Sequence, residues 1–261
     1  MKRDTNVMWR CATVALMGIG CLVASSGALH AQQIDGQGDE EVRQLAEATA
    51  LERNGDLDGA QQVLETLLSS HPNSVSALLT YERILQKQGR LALLVPAVTR
   101  MLEVEPGSAI AHQLRVRTLS ALDRSDELDQ AAEAWIDAMG DREIPYRESA
   151  QVYIARGDPA RAVSVLERGR DRLGRRDALA LEIGEALVAL GDFTGAAREW
   201  AVAVGPDGKG YHLVRRRLTE QDGLVTRVAP FLIAALTEGD PAPARLRAAV
   251  DLAIEAGRGD L

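Results

Sequence analysis

One position recurs every 34 residues along most of this chain, and this period limits the folds that the chain can adopt. The position is glycine in four copies and aspartate in one: Gly55, Gly89, Asp123, Gly157 and Gly191. Glycine ends a helix at low cost because it adopts left-handed backbone angles without a Cβ clash. An apolar or aromatic column lies four residues earlier, at Leu51, Leu85, Leu119, Tyr153 and Leu187. Another lies five residues later, at Ala60, Leu94, Leu128, Ala162 and Ala196. Three columns in one register predict five copies of a single structural unit.

The residues around each copy predict a helical hairpin. In the fifth copy, Gly191 stops one helix, and Asp192 offers a side-chain oxygen to the free amides of the next. Ala196 and Trp200 then share one helical face. We expect first helices near 41–54, 75–88, 109–122, 143–156 and 177–190. We expect second helices near 57–70, 91–104, 125–139, 159–173 and 193–204. Pro96 should delay or kink the second of these second helices.

A helix-turn-helix unit of 34 residues resembles the tetratricopeptide repeat family. The turn strings at 54–60, 122–128 and 156–162 are similar to that family's central turn. The resemblance implies an all-α fold, a right-handed α-solenoid of five stacked repeats over residues 41–208. The chain departs from the family at its first-helix tryptophan, whose column holds Gln44, Leu78, His112, Tyr146 and Ala180. Glu82 and Val116 replace a small residue, so we expect looser packing in the second and third copies.

The period breaks in residues 209–261, which we expect to cap the array. The composition predicts a short basic helix near 211–220 and a final helix pair near 225–237 and 244–256. A divergent sixth repeat, offset by an inserted helix, accounts for this pattern, since terminal repeats are atypical.

The first 31 residues have the pattern of a secretory signal peptide. Lys2, Arg3 and Arg10 precede an uncharged stretch at 11–29, and small residues lead to Ala31. We expect cleavage after Ala31, which predicts an exported, periplasmic protein, and a disordered lead-in at 32–40. The alternative is a retained membrane anchor, because the uncharged stretch approaches the length of a spanning helix. A membrane is expected as a partner only in that case.

Composition and motif searches predict no enzyme. Both cysteines, Cys11 and Cys21, lie in the signal segment, so the cleaved chain has no thiol or disulfide chemistry. Cleavage also changes the net charge from −8 to −10, which argues against non-specific nucleic-acid binding. The sequence contains no zinc-protease, nucleophile-elbow or phosphate-loop motif. The acidic residues at 123–129 fit a helix turn better than a calcium loop. We therefore expect no catalytic residue, no cofactor and no metal.

The resemblance implies a binding groove lined by the first helices. In the family, the fifth, ninth and thirteenth positions of each repeat face this groove. Transferred to this chain, they give the candidate site Thr49, Arg83, Lys87, Arg117, Arg147, Gln151 and Glu185. The four cations predict an acidic protein or peptide partner, since Arg forms forked hydrogen bonds with carboxylates. The alternative is that they are solvated helix-face charges paired with nearby glutamates.

These expectations define two functions. The first is an exported scaffold of the cell envelope that binds a partner segment in its groove. The second is a membrane-anchored helper of a secretion or cell-wall complex. A weaker third possibility is glycan binding through groove aromatics, but Trp135 and Trp200 fall in packing columns and are expected in the core.

Overall fold

A computed structural model describes the backbone of residues 24–257 and the side chains of residues 39–257. Within this part of the chain there are thirteen α-helices, one 3-10 turn and no strand. The predicted all-α fold of helical repeats is confirmed. The chain divides into two compact units, residues 1–71 and 72–261, which are described separately below.

The first unit contains one helical hairpin, formed by α1 (Ala24–Arg53) and α2 (Leu57–Ser70). Gly55 has a φ of 83° in the turn, and the Asp56 side chain accepts a hydrogen bond from the Gly59 amide at 2.9 Å. Helix α1 begins at Ala24 rather than near residue 41, so it includes residues 32–40, where we expected a disordered lead-in. This stretch has no proline to prevent a helix. Residues 1–23, most of the predicted signal peptide, lie outside the described residues.

The second unit continues with four further hairpins. Their first helices, named A helices here, are α3 (Val75–Gln88), α5 (Ala109–Ala121), α7 (Ile144–Ala155) and α9 (Ala180–Leu190). Their second helices, the B helices, are α4 (Leu94–Val104), α6 (Ser125–Met139), α8 (Pro159–Leu173) and α10 (Phe193–Val204). A 3-10 turn at Leu91–Leu93 precedes α4, which confirms the delay expected from Pro96.

The 34-residue column has left-handed backbone angles in every copy. Gly89, Gly157 and Gly191 have φ values of 68°, 80° and 83°, and Asp123 adopts 56° despite its Cβ. In the third copy, Arg156 approaches Asp123 at 2.6 Å and donates to the Ser120 carbonyl at 3.2 Å. The column therefore separates the two helices of each hairpin, as predicted.

The hairpins of the second unit pack in register. Each A helix contacts its own B helix, and α4, α6 and α8 each contact the next A helix. The A helices α5, α7 and α9 also contact one another in succession. Each of these hairpins thus buries its apolar face on the next hairpin, which is the arrangement that stabilises repeat proteins.

Other side chains replace the missing first-helix tryptophan. The imidazole of His112 stacks on the Trp135 indole, with ring centroids 5.9 Å apart, and its Nε2 donates to the Pro106 carbonyl at 2.8 Å. Burial lowers the pKa of His112. In the next copy, Tyr146 occupies the position of the missing tryptophan. It packs closely on Gly169, because a Cβ at Gly169 would lie under 3.0 Å from the Tyr146 ring. Val116 is only 1% exposed, so the looser packing expected of the third copy is not observed there.

Three further helices follow: α11 (Tyr211–Thr219), α12 (Leu224–Thr237) and α13 (Pro243–Glu255). Helix α12 packs on α10, and α13 packs on α12, as the two helices of another repeat would. Helix α11 contacts α9, α10 and α12. The inserted helix therefore lies beside the last A helix.

Candidate functional site

The A helices and α11 present one surface, called the A-helix face here, on which polar side chains connect neighbouring helices. Arg117 Nη2 lies 3.3 Å from Glu82 Oε1, joining α5 to α3. Gln113 donates to Glu148 at 2.7 Å, joining α5 to α7. An ion pair between Arg147 and Glu182, at 3.8 Å, joins α7 to α9. Another, between Glu185 and Arg217, joins α9 to α11. This surface is therefore a row of alternating charges rather than a uniformly basic groove.

Six of the seven predicted site residues lie on this face. Arg83 and Lys87 are exposed on α3, and Arg117 is exposed on α5. Arg147 and Gln151 lie on α7, and Glu185 lies on α9. Thr49 belongs to the first unit, where its Oγ1 donates to the Leu45 carbonyl at 2.8 Å. The six residues thus lie in the second unit, whereas Thr49 lies in the first.

Arg117 contacts Glu82, and Arg147 contacts Glu182. For these two arginines the structure shows the pairing with a nearby glutamate that the sequence raised as the alternative. The Arg117 side chain is 53% exposed. The guanidinium has several N–H donors, so Arg117 can bind a partner's carboxylate while it keeps its contact with Glu82, whose side chain is only 13% exposed.

A cavity of about 240 Å³ opens where α7, α9 and α11 meet. Gln151 and Glu185 from the predicted site line it, together with residues that the sequence analysis did not assign to a site. Its polar wall is completed by Arg217, Glu220 and Gln221. Its apolar wall is formed by Ile154, Ala155, Val188, Ala189, Trp200 and Leu224. The cavity therefore combines an apolar wall with convergent polar groups, as ligand sites do.

The polar wall carries a half-buried ion pair. Burial raises the pKa of the Glu185 carboxyl, and the neighbouring Arg217 partly offsets this effect. Arg217 also approaches Glu220 at 3.1 Å, so two carboxylates hold one guanidinium. The cavity end of the A-helix face is thus slightly acidic, whereas the α3 and α5 end carries Arg83, Lys87 and Arg117.

Trp200 forms the inner end of the cavity and is fixed from behind. Its Nε1 donates to the Leu181 carbonyl at 3.1 Å, and the side chain is 1% exposed. The expectation that Trp200 belongs to the core is confirmed, although its ring also lines the cavity. Trp135 is fully buried.

The model of the tetratricopeptide repeat family matches residues 44–74. Residues 44–74 therefore form one tetratricopeptide repeat. Stacked helical repeats form extended surfaces that repeat proteins use for binding. A comparison with curated proteins found no significant match. Among the described residues, no helix is both long and apolar enough to cross a membrane.

Three solved structures illustrate what the chain resembles. MamA is 17% identical over 71% of this chain and 97% of its own, with a TM-score of 0.45. PilF of Pseudomonas aeruginosa is 15% identical over 85% of this chain and 93% of its own, with a TM-score of 0.47. A thermophilic tetratricopeptide repeat protein of Thermus thermophilus is 15% identical over 74% of this chain and 99% of its own, with a TM-score of 0.41. At this level of similarity, none of the three informs the function of this chain.

Proposed function

We propose that the A-helix face of the second unit binds a segment of a partner protein and that the cavity takes one of its apolar side chains. The cavity carries this proposal, because it opens between the A helices that the repeat pattern assigns to binding. Ile154 and Val188 stand in one column, a single repeat apart, and both contribute to its apolar wall. Equivalent positions of two successive repeats thus form part of the apolar wall that would hold the partner's side chain.

The cavity is large enough to take an apolar side chain. Its volume of about 240 Å³ compares with about 30 Å³ for a water molecule in the liquid. Burial of one leucine-sized side chain contributes roughly 1.5–3 kcal/mol. A single anchor of this kind, surrounded by weaker polar contacts, is typical of a hot spot in a protein interface.

The charges on the face give the bound segment a direction. Acidic residues of the segment would lie over Arg83, Lys87 and Arg117 on α3 and α5. The apolar anchor would lie at the other end, where Glu185 and Glu220 disfavour a carboxylate. The partner segment is therefore acidic at one end and apolar at the other, which refines the acidic partner expected from the sequence.

Selection of random twelve-residue peptides on the purified protein, followed by affinity measurements, tests this proposal. We expect selected peptides to combine acidic residues with one large apolar residue. Ala189→Trp, at the exposed rim of the cavity, should weaken their binding about tenfold, which corresponds to 1.4 kcal/mol. Arg117→Glu should weaken it several-fold.

Matched variants on the B helices serve as controls. Ala134→Trp places the same side chain on the exposed surface of α6. Arg168→Glu breaks an interhelical pair on the B helices, Arg168 with Glu133 at 2.8 Å, in which the arginine is about as exposed as Arg117. Both should retain wild-type affinity. Peptides that bind all four variants as well as wild type would refute the proposed site.

We further propose that residues 1–31 direct export and that the partner is another protein of the cell envelope. The positive start, uncharged stretch and small residues before Gln32 support this proposal. Amino-terminal sequencing of the protein from cells that express the full chain tests it. Gln32 as first residue is expected. An intact Met1 in the membrane fraction would instead support the anchored helper.

A further inference from the structure

Helix α13 exposes an apolar stripe to solvent. Leu246, Val250 and Ile254 are 43%, 58% and 72% exposed. They are four residues apart and therefore adjacent on one face of the helix. The opposite face is buried, at Ala248, Ala249 and Leu252. Apolar side chains that are exposed together on one helix face mark interaction sites, so this stripe requires an explanation.

A row of charges runs beside the stripe, and its signs are ordered. Arg247, Asp251 and Glu255 each follow one residue after a stripe residue. Glu255 approaches Arg215 at 3.1 Å, whereas neither Arg247 nor Asp251 forms an ion pair with another of the described residues. The early half of this row is therefore positive and the late half negative.

We infer that two copies of this chain associate through α13, with the two helices antiparallel about a twofold axis at Val250. Such an interface places the same patch of both copies in contact, so the patch must be complementary to itself. In this arrangement Val250 meets Val250 of the partner subunit, and Leu246 meets Ile254 of the partner subunit. The apolar stripe is thus buried along its whole length.

The charges match in the same arrangement. A helix rises 1.5 Å per residue, so Arg247 lies about 4.5 Å from the level of Val250. The partner subunit's Asp251 and the partner subunit's Glu255 then lie about 1.5 Å and 7.5 Å from that level, on either side of Arg247. The twofold axis is perpendicular to both helices, so the two charged rows lie on one side of the interface. In a parallel pair the twofold axis would run along the helices, so the two charged rows would lie on opposite sides of the interface and could not pair.

The interface is small, which sets the strength of association. The thirteen residues of α13 extend about 20 Å, and stable complexes bury about 800 Å² on each partner. We therefore expect a weak dimer with a dissociation constant in the micromolar range. Helix α13 does not line the cavity on the A-helix face, so this inference does not depend on the proposed function.

Sedimentation velocity of the purified protein over a wide concentration range tests the inference. Wild type should shift from monomer to dimer as its concentration rises. Val250→Glu should remain monomeric. The matched control is Val104→Glu on α4, because Val104 is 57% exposed and Val250 is 58% exposed. This control should dimerise as wild type does, and circular dichroism verifies that both variants are folded.

Charge reversal tests the antiparallel orientation. Arg247→Glu should raise the dissociation constant about tenfold or more, because it opposes two carboxylates of the partner subunit. Combining Arg247→Glu with Asp251→Arg restores one of these pairs and should recover part of the loss. A wild type that stays monomeric, a Val250→Glu variant that still dimerises, or a dimer strengthened by Arg247→Glu would each overturn the inference.

Discussion

At the scale of single residues, the core follows a rule of paired sizes. Gly184 on α9 lies against the indole of Trp200 on α10, and a Cβ at Gly184 would lie closer than 3.0 Å to that ring. In the preceding repeat the corresponding positions hold Ala150 and Leu166, a larger and a smaller residue respectively. A large side chain on one helix is therefore matched by a small one on the other, and a sequence column considered alone does not show this.

Gly184→Ala should destabilise the protein by about 1–3 kcal/mol, because overpacking displaces the buried Trp200. Urea unfolding followed by circular dichroism measures this loss. Gly107→Ala is the matched control, because a Cβ there meets nothing within 4 Å. Combining Gly184→Ala with Trp200→Leu creates the alanine–leucine pair of the preceding repeat. The double variant should be more stable than the sum of the two single effects predicts, and strict additivity would contradict paired packing.

At the scale of helices, the sequence predicts the eight helices α3–α10 and the range of α11, but it does not predict where α11 docks. The hairpin bounds follow from glycines and capping residues within each repeat, such as Gly191 and Asp192, which are local signals. The docking of α11 beside α9 is a tertiary contact outside the repeat period. The pair of Glu185 with Arg217 was therefore not predicted, although the run of three arginines at 215–217 signalled a basic helix.

Arg217→Met should destabilise the protein by roughly 1–3 kcal/mol, because it leaves the half-buried Glu185 without its cation. The loss should depend on pH. Burial already raises the folded-state pKa of Glu185 above its ordinary value, and removal of Arg217 should raise it further. Because the Glu185 carboxyl has a higher pKa in the folded state than in the unfolded state, the folded state binds its proton more tightly. The destabilisation by Arg217→Met should therefore be smaller in acid, where Glu185 is protonated, and complete at alkaline pH, where it is charged.

Urea unfolding at about pH 5 and about pH 8 measures this dependence. The deficit of Arg217→Met relative to wild type should be larger at the higher pH. Arg216→Met is the control, because Arg216 is 60% exposed and approaches only Glu220, at 3.7 Å. A deficit that is constant with pH, or larger in acid, would show that Glu185 does not cause it.

At the scale of the whole molecule, the 34-residue period predicts the helical-repeat fold and assigns the proposed binding surface to the A helices. Gln151 and Glu185 from the ninth column both line the cavity, but their role in binding stays a prediction. The sequence left open whether Arg117 and Arg147 pair with glutamates, because pairing depends on distances between helices. The division into two units also has no signal in the period, which continues across residue 71 without interruption.

The central claim is that a partner segment binds on the A-helix face, and site-specific photo-cross-linking tests it most directly. A benzophenone side chain would replace the exposed Gln151 on α7 or, as control, the exposed Ser164 on α8. Each protein would be irradiated with a selected peptide. We expect a cross-linked adduct from position 151 and none from position 164. Adducts from position 164 alone, or equally from both positions, would contradict the claim.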